Sequence, residues 1–172
     1  ITSIALYDYA TEKYYTYCFD PHKRIESYEK DNEVVEFYET EYEMLNQFFQ
    51  KYLEIRPTII SGWNSEFFDI PYLYNRAVRI LGPELANLLS PISQVIYSEY
   101  KKKHTIAGVS SLDYLQLYRQ FTFTMQSSYR LDYIGEVEVG MKKVSYEGTL
   151  NDLYDNDLQT FIHYNIRDVE IL

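Results

Sequence analysis

Residues Ile1 to Tyr7 and Tyr14 to Phe19 are rich in β-branched and aromatic side chains, and a short polar link, Asp8 to Lys13, separates them. That pattern predicts a β-hairpin. The charged stretch from Pro21 to Asn32 predicts a loop, and Val34 to Tyr38 a further short strand. Thr40-Glu41-Tyr42-Glu43 has the form of a capping box. Behind it Leu45, Phe48, Phe49, Tyr52 and Leu53 recur at helical spacing, so an amphipathic helix is expected to end before Pro57. Thr58 to Trp63 is a short apolar run of the kind that forms a buried strand. Ile70, Leu73, Tyr74, Ala77, Ile80 and Leu81 predict a second helix, with Pro71 in its first turn and Gly82 closing it. Strands alternating with helices in this way point to an α/β layered sheet.

Further along, Val95 to Tyr100 and His104 to Val109 predict a second hairpin with Lys101, Lys102 and Lys103 at its tip. Ser111 to Leu117 reads as a strand leading into a helix, and Gly135 to Gly148 as irregular. Asn156 is the expected cap of a last helix whose apolar face carries Leu158, Phe161, Ile162, Asn165, Val169 and Leu172. With no repeats, low-complexity tracts or Pro/Gly linkers, residues 1–172 read as one domain.

Composition narrows the class. Sixteen basic and 26 acidic residues give a formal net charge of −10, yet 17% of the chain is aromatic, including 20 Tyr. Disordered chains are poor in aromatics, so the charge does not signal disorder. A simple basic nucleic-acid binder is excluded for lack of excess Lys and Arg. The single Cys18 forms no internal disulfide, and no apolar run approaches the 18 or so residues of a membrane span. The chain opens inside an apolar stretch without Met and stops within a helical pattern, so it is expected to be a segment of a longer soluble intracellular protein.

Three common chemistries are missing: there is no GxSxG elbow, no Gly-rich phosphate loop and no Cys/His zinc spacing. His22, His104 and His163 are scattered and read as surface or capping residues. Two carboxylates stand out by placement. Asp69 falls where a strand has ended and a helix begins, the place where sites assemble in open α/β sheets. Its plain alternative is the N-cap of that helix. Asp168 lies four residues after Tyr164, so the two share a helix face. Its plain alternative is an Asp at a helix rim.

Taken together, the two segments resemble something specific. Asn64-Ser65-Glu66-Phe67-Phe68-Asp69 resembles the second exonuclease motif of family B DNA polymerases, and Tyr164-Asn165-Ile166-Arg167-Asp168 the third, Tyr-x-x-x-Asp, at the family's spacing of roughly a hundred residues. The likeness runs on through Ser90-Pro91-Ile92, Gly108 to Tyr118 and Ser128 to Leu131, and is closest to the replicative polymerases of large tailed bacteriophages. It implies a ribonuclease-H-like, three-layer α/β/α proofreading domain with a mixed sheet. The implied reaction is two-metal hydrolysis of the 3′-terminal phosphodiester of a single-stranded primer end, with Mg²⁺ or Mn²⁺ as the cations. Hard cations take oxygen ligands, which suits carboxylates.

By this resemblance Asp168 holds the first metal and Asp69 the second, Tyr164 orients the attacking water, and Asn64 and Phe68 position the terminal nucleotide. Lys101, Lys102 and Lys103 at the hairpin tip would meet DNA phosphate. The implied partners are the single-stranded 3′ end of primer-template DNA and a polymerase domain of the same chain, with no membrane. The implied location is the cytoplasm of a bacterial host.

The family's first motif, an Asp-x-Glu on the strand before the opening hairpin, is missing, and the look-alike Glu136-Val137-Glu138 comes far too late. Ile1 to Tyr7 would match the strand just after that motif. The segment is therefore expected to lack the sheet's first strand, to bind catalytic metals poorly and to be inactive or weak alone. Two alternatives stay open: a free-standing 3′–5′ exonuclease, and a non-catalytic DNA-binding scaffold of the same fold. Tyr14, Tyr15, Tyr17, Tyr52 and Tyr74 fall in strand or helix patterns and are read as core or rim, not as base-stacking surfaces.

Overall fold

A computed structural model describes residues 1–172. The elements run β1 (Ser3–Asp8), β2 (Lys13–Phe19), β3 (Tyr28–Lys30), β4 (Glu33–Tyr38), α1 (Glu41–Ile55), β5 (Ile59–Gly62), α2 (Asp69–Leu81), α3 (Pro83–Ala86), a 3-10 turn (Asn87–Leu89), β6 (Val95–Ser98), β7 (Lys103–Ile106), β8 (Ser110–Asp113), α4 (Tyr114–Phe121), α5 (Leu131–Val139), α6 (Leu150–Asn156) and α7 (Leu158–Glu170). The fold is mixed α/β. The chain forms two compact units, Ile1–Met44 with Ser128–Leu172, and Leu45–Ser127, and the division falls within α1.

The first unit is built on a four-stranded mixed sheet in the order β1-β2-β4-β3. The expected hairpin forms, with Tyr7 opposite Tyr14 in an antiparallel ladder. β2 and β4 pair in parallel, Tyr14 with Glu33 through Phe19 with Tyr38. The charged stretch after Pro21 is not all loop, because Tyr28–Lys30 adds β3 antiparallel to β4. Helix α7 packs on β1 and β2. Cys18 and Val35 from the sheet bury against Leu153, Leu158, Phe161, Ile162 and Ile166 of the helices, a contiguous apolar core. Burial pushes the Cys18 thiol up to about 12, which leaves it an inert core residue. Asp20, 1% exposed, accepts from the Arg24 backbone N–H and, at 2.9 Å, from its Nε. Arg24 in turn donates from Nη1 to the carbonyls of Tyr154 and Asp155, at 2.7 and 3.2 Å, at the C-terminal end of α6.

Two expectations in this unit are corrected. Gly135 to Gly148 is not uniformly irregular: α5 runs through Gly135 to Val139 and ends at Gly140, which is left-handed at φ 69°. Gly135 is required because a Cβ there would stand 2.5 Å from Ile171 Cγ2, so the glycine marks a close approach and not a break. Asn156 is not the cap of the last helix. It ends α6, and Asp157 caps α7, accepting at 3.0 Å from the Thr160 N–H. On α7 Ile166 is buried, whereas Asn165 and Val169 sit at the margin.

In the second unit β5 and β8 form a parallel ladder, with Gly62 opposite Asp113, and β6 and β7 the expected hairpin, Val95 opposite Ile106. Leu45, Phe48, Phe49 and Tyr52 of α1 are buried as their spacing predicts, and the Tyr52 hydroxyl donates to the Leu89 carbonyl at 3.0 Å. β5 is not the buried strand expected. Ile59 is 58% exposed, since β5 has a ladder partner on one side only. His104 departs from its surface reading too. It is buried, with ring centroids of Tyr74 and Tyr97 at 4.9 and 5.0 Å. Tyr15, Tyr17 and Tyr52 are core residues, and Tyr14 and Tyr74 half-buried, as read from their positions.

Candidate functional site

In the second unit the chain turns sharply where β5 ends. A Cβ on Gly62 would lie 2.8 Å from Ser65 Cβ, so the strand must finish in glycine for the turn to close. Asn64 follows in the left-handed region at φ 61°, which Asn tolerates better than most residues. Its carbonyl accepts from the N–H groups of Phe67 and Phe68, at 3.2 and 3.0 Å, and the Ser65 carbonyl from Ile70 N–H at 2.9 Å. These bonds wind the segment into α2. The helix is capped by Phe68, whose side chain makes no capping bond, so Asp69 is not the N-cap but the first helical residue. A carboxylate there is favoured by the positive end of the helix dipole. Asp69 is exposed. Beside it Phe68, 65% exposed, stacks on Tyr72 with centroids 6.3 Å apart and planes at 6°.

The lysine tip reaches this same segment. Lys103 Nζ meets Glu66 Oε2 at 2.6 Å in a half-buried pair, and Lys102 pairs at 2.9 Å with Glu99 in an exposed one. Lys101 is exposed on the turn between β6 and β7. An exposed ion pair is worth little and yields readily to a competing anion.

In the first unit α7 presents Tyr164 and Asp168 one turn apart, as their spacing predicts. Between them comes Lys143 from the link after α5. Its Nζ donates at 2.6 Å to Asp168 Oδ2 and at 3.1 Å to the Tyr164 hydroxyl. Burial works against the Lys143 ammonium, but the hydrogen bond and charge of Asp168 outweigh it and raise its pKa. For Asp168 burial is the larger influence and raises the carboxyl above its ordinary value, although Lys143 pulls it down. Tyr146 meets the Tyr164 ring edge-on at 5.5 Å.

Asp168 Oδ1 is buried and has no hydrogen-bond partner. An orphaned carboxylate oxygen of this kind fits a hard cation in donor chemistry. No group of three or more His, Cys, Asp or Glu side chains stands together as a metal site. Three residues beyond those singled out in the sequence enter these geometries: Lys143, Glu66 and Asp113, which is buried under the Asn64–Glu66 turn. Asp113 alone carried a local signal, an Asp at a strand-to-helix junction. No helix is long and apolar enough to cross a membrane.

Residues 2–134 match the family model described as DNA polymerase family B, exonuclease domain. The chain is 41% identical over 138 residues to the DNA-directed DNA polymerase of Escherichia phage RB69, covering 77% of this chain and 15% of that protein. It is 40% identical over 139 residues to the corresponding polymerase of Enterobacteria phage T4, covering 77% and 16%. DNA polymerase 1 of Saccharolobus solfataricus is 28% identical over 149 residues, covering 80% and 15%. The chain thus spans about one sixth of the length of these relatives. The mixed sheet with its helices is the ribonuclease-H-like arrangement of this nuclease-type enzyme domain. By its motifs, its fold and these matches, the chain belongs to the exonuclease domain of DNA polymerase family B.

Proposed function

We propose that this domain removes the 3′-terminal nucleotide from single-stranded primer ends in the 3′–5′ direction, as the proofreading part of a longer DNA polymerase. The observation that carries the reading is the set on α7. A half-buried carboxylate with one buried, unpartnered oxygen stands beside a tyrosine hydroxyl, and one lysine links both. Tyr164 lies beyond the matched stretch of the family model, so its role rests on this geometry and on the Tyr-x-x-x-Asp spacing.

Asp168 would hold one divalent cation and Asp69 a second; bound there, Mg²⁺ or Mn²⁺ supplies Lewis-acid stabilisation of the attacking and departing oxygens. The Tyr164 hydroxyl orients the attacking water. Lys143 donates to that hydroxyl, which in turn lies within hydrogen-bonding reach of Asp168. Lys143 also balances Asp168, which keeps a half-buried carboxylate ionised in a setting that works against it. Asn64 and the exposed, stacked Phe68 position the terminal nucleotide, since an aromatic face offers about 1–3 kcal/mol to an unpaired base. Lys101 and Lys102 are available to phosphate, while Lys103 is held by Glu66. No Asp-x-Glu pair stands ahead of β1 in this sequence, where the family carries its first motif, so the segment alone turns over slowly.

The test uses the full-length protein. Asp168→Ala and Asp69→Ala are each expected to lower Mg²⁺-dependent release of 3′-terminal nucleotides by at least about 100-fold, with primer extension preserved. Release at the wild-type rate by either variant would remove that carboxylate from the site.

A further inference from the structure

Asp113 is the last residue of β8 and the N-cap of α4, and it is 3% exposed. Capping needs one oxygen and one or two N–H groups at the start of the helix. Asp113 does more. Its Oδ1 accepts from Leu115 N–H at 3.0 Å and Gln116 N–H at 3.4 Å, which is the cap, and also from Asn64 N–H at 3.1 Å. Its Oδ2 accepts from Glu66 N–H at 3.2 Å. One buried carboxylate therefore binds both sides of the sharp turn that follows β5, 47 to 49 residues away in the chain.

The turn needs such a brace. Asn64 stands at φ 61°, a conformation that costs an L-residue roughly 1–2 kcal/mol. The N–H groups of Asn64 and Glu66 would be unsatisfied at the half-buried base of the turn without an acceptor from outside it. With both N–H groups pinned, the Asn64 carbonyl faces Phe67 and Phe68, and the Ser65 carbonyl faces Ile70. The path of the chain into Asp69 is thereby set. The Glu66 side chain is carried to Lys103, which ties the β6–β7 hairpin to the same turn.

The geometry points to Asp113 as a positioning residue for the exonuclease reaction: it touches no substrate, and it acts by fixing the Asn64–Asp69 segment. This rests on the reading of Asp69 and Asn64 given above. Two substitutions separate bracing from capping, because Asn and Ser are both good N-caps. In Asp113→Asn the amide oxygen keeps α4 capped and an NH₂ group faces the Glu66 N–H, donor against donor. In Asp113→Ser the hydroxyl still caps α4 and is too short to reach Asn64 or Glu66.

The experiment compares both variants with wild type and Asp69→Ala in the full-length protein. The readouts are kcat and KM for 3′-nucleotide release from single-stranded DNA, and hydrogen exchange of peptides spanning Asn64–Asp69 and Tyr114–Phe121. The expected result is a kcat about 10- to 100-fold lower, with KM within about threefold. Exchange should quicken at Asn64–Asp69 and stay slow at Tyr114–Phe121. Wild-type kcat in Asp113→Asn and Asp113→Ser, with Asp69→Ala inactive, overturns the positioning role alone. Exchange that quickens equally in both peptides also overturns it and assigns Asp113 to general stability. Wild-type kcat in Asp69→Ala instead overturns the reading of the site on which the proposal rests.

Discussion

His104 shows what a single residue can contribute that its neighbours in sequence do not announce. Its ring lies between Tyr74 and Tyr97, its Nδ1 is buried without a hydrogen-bond partner, and burial lowers its pKa below the ordinary histidine value. The folded chain thus holds it neutral, whereas the unfolded chain protonates it near pH 6.5. Its contribution to stability is complete above that pH and is lost as the pH falls through the lower folded value. The urea midpoint is expected to drop between pH 7.5 and 5.5, and His104→Gln to remove most of that drop. An equal drop in the variant would show that other groups carry it. His22 and His163 are exposed, so a histidine's spacing alone did not separate the buried one from the surface pair. Lys143 teaches the same lesson at the site. Nothing in Gly140 to Gly148 distinguishes it from Lys142, which pairs with Glu136 at 2.7 Å, until the fold brings Asp168 and Tyr164 to it.

At the scale of elements, local pattern succeeded for most elements whose partners lie within one turn or one strand, although it put the cap of α7 at Asn156 and not at Asp157. The hairpin β1–β2, helices α1 and α2, the hairpin β6–β7 and the passage from β8 into α4 all form where their periodicity and turn residues place them. Thr40 Oγ1 accepts from Glu43 N–H at 3.2 Å, as the capping-box spacing requires. Helix α5 was obscured because Gly135 interrupts it and Glu-Val-Glu-Val alternates as a strand would. Its glycine is explained only by Ile171, 36 residues away in the chain, and by the Met141 carbonyl oxygen, which would stand 3.0 Å from a Cβ at position 135. Gly135→Ala sets two effects against each other. Helix propensity favours Ala by about 1 kcal/mol, while overpacking costs about 1–3 kcal/mol. Because one obstacle is backbone, the overpacking should win, and urea unfolding is expected to show a net loss of about 1 kcal/mol. A more stable variant would mean that Ile171 yields freely.

At the scale of the whole molecule, the net charge of −10 and the many tyrosines now have separate explanations. Tyr15, Tyr17 and Tyr52 are core, and exposed aromatic surface beside Asp69 comes from Phe68 and Tyr72. Of the three tip lysines, two already face carboxylates. A chain with this balance has little to offer a phosphate backbone over any distance. The segment by itself is therefore expected to bind single-stranded DNA weakly, with Kd above about 10 μM at about 150 mM salt, measured by fluorescence anisotropy. Submicromolar binding would mean that the aromatic surface alone grips DNA. The sequence by itself determined the alternation of strands and helices, the family motifs and the candidate acids, because spacing along a strand or helix dictates which side chains share a face. The tertiary structure alone decided that Asp113 braces Asn64 and Glu66, that Lys143 serves Tyr164 and Asp168, and that Gly135 must stay bare. In each case a decisive partner lies 21 to 49 residues away in the chain (Ile171 for Gly135), and only packing brings it within a few ångströms.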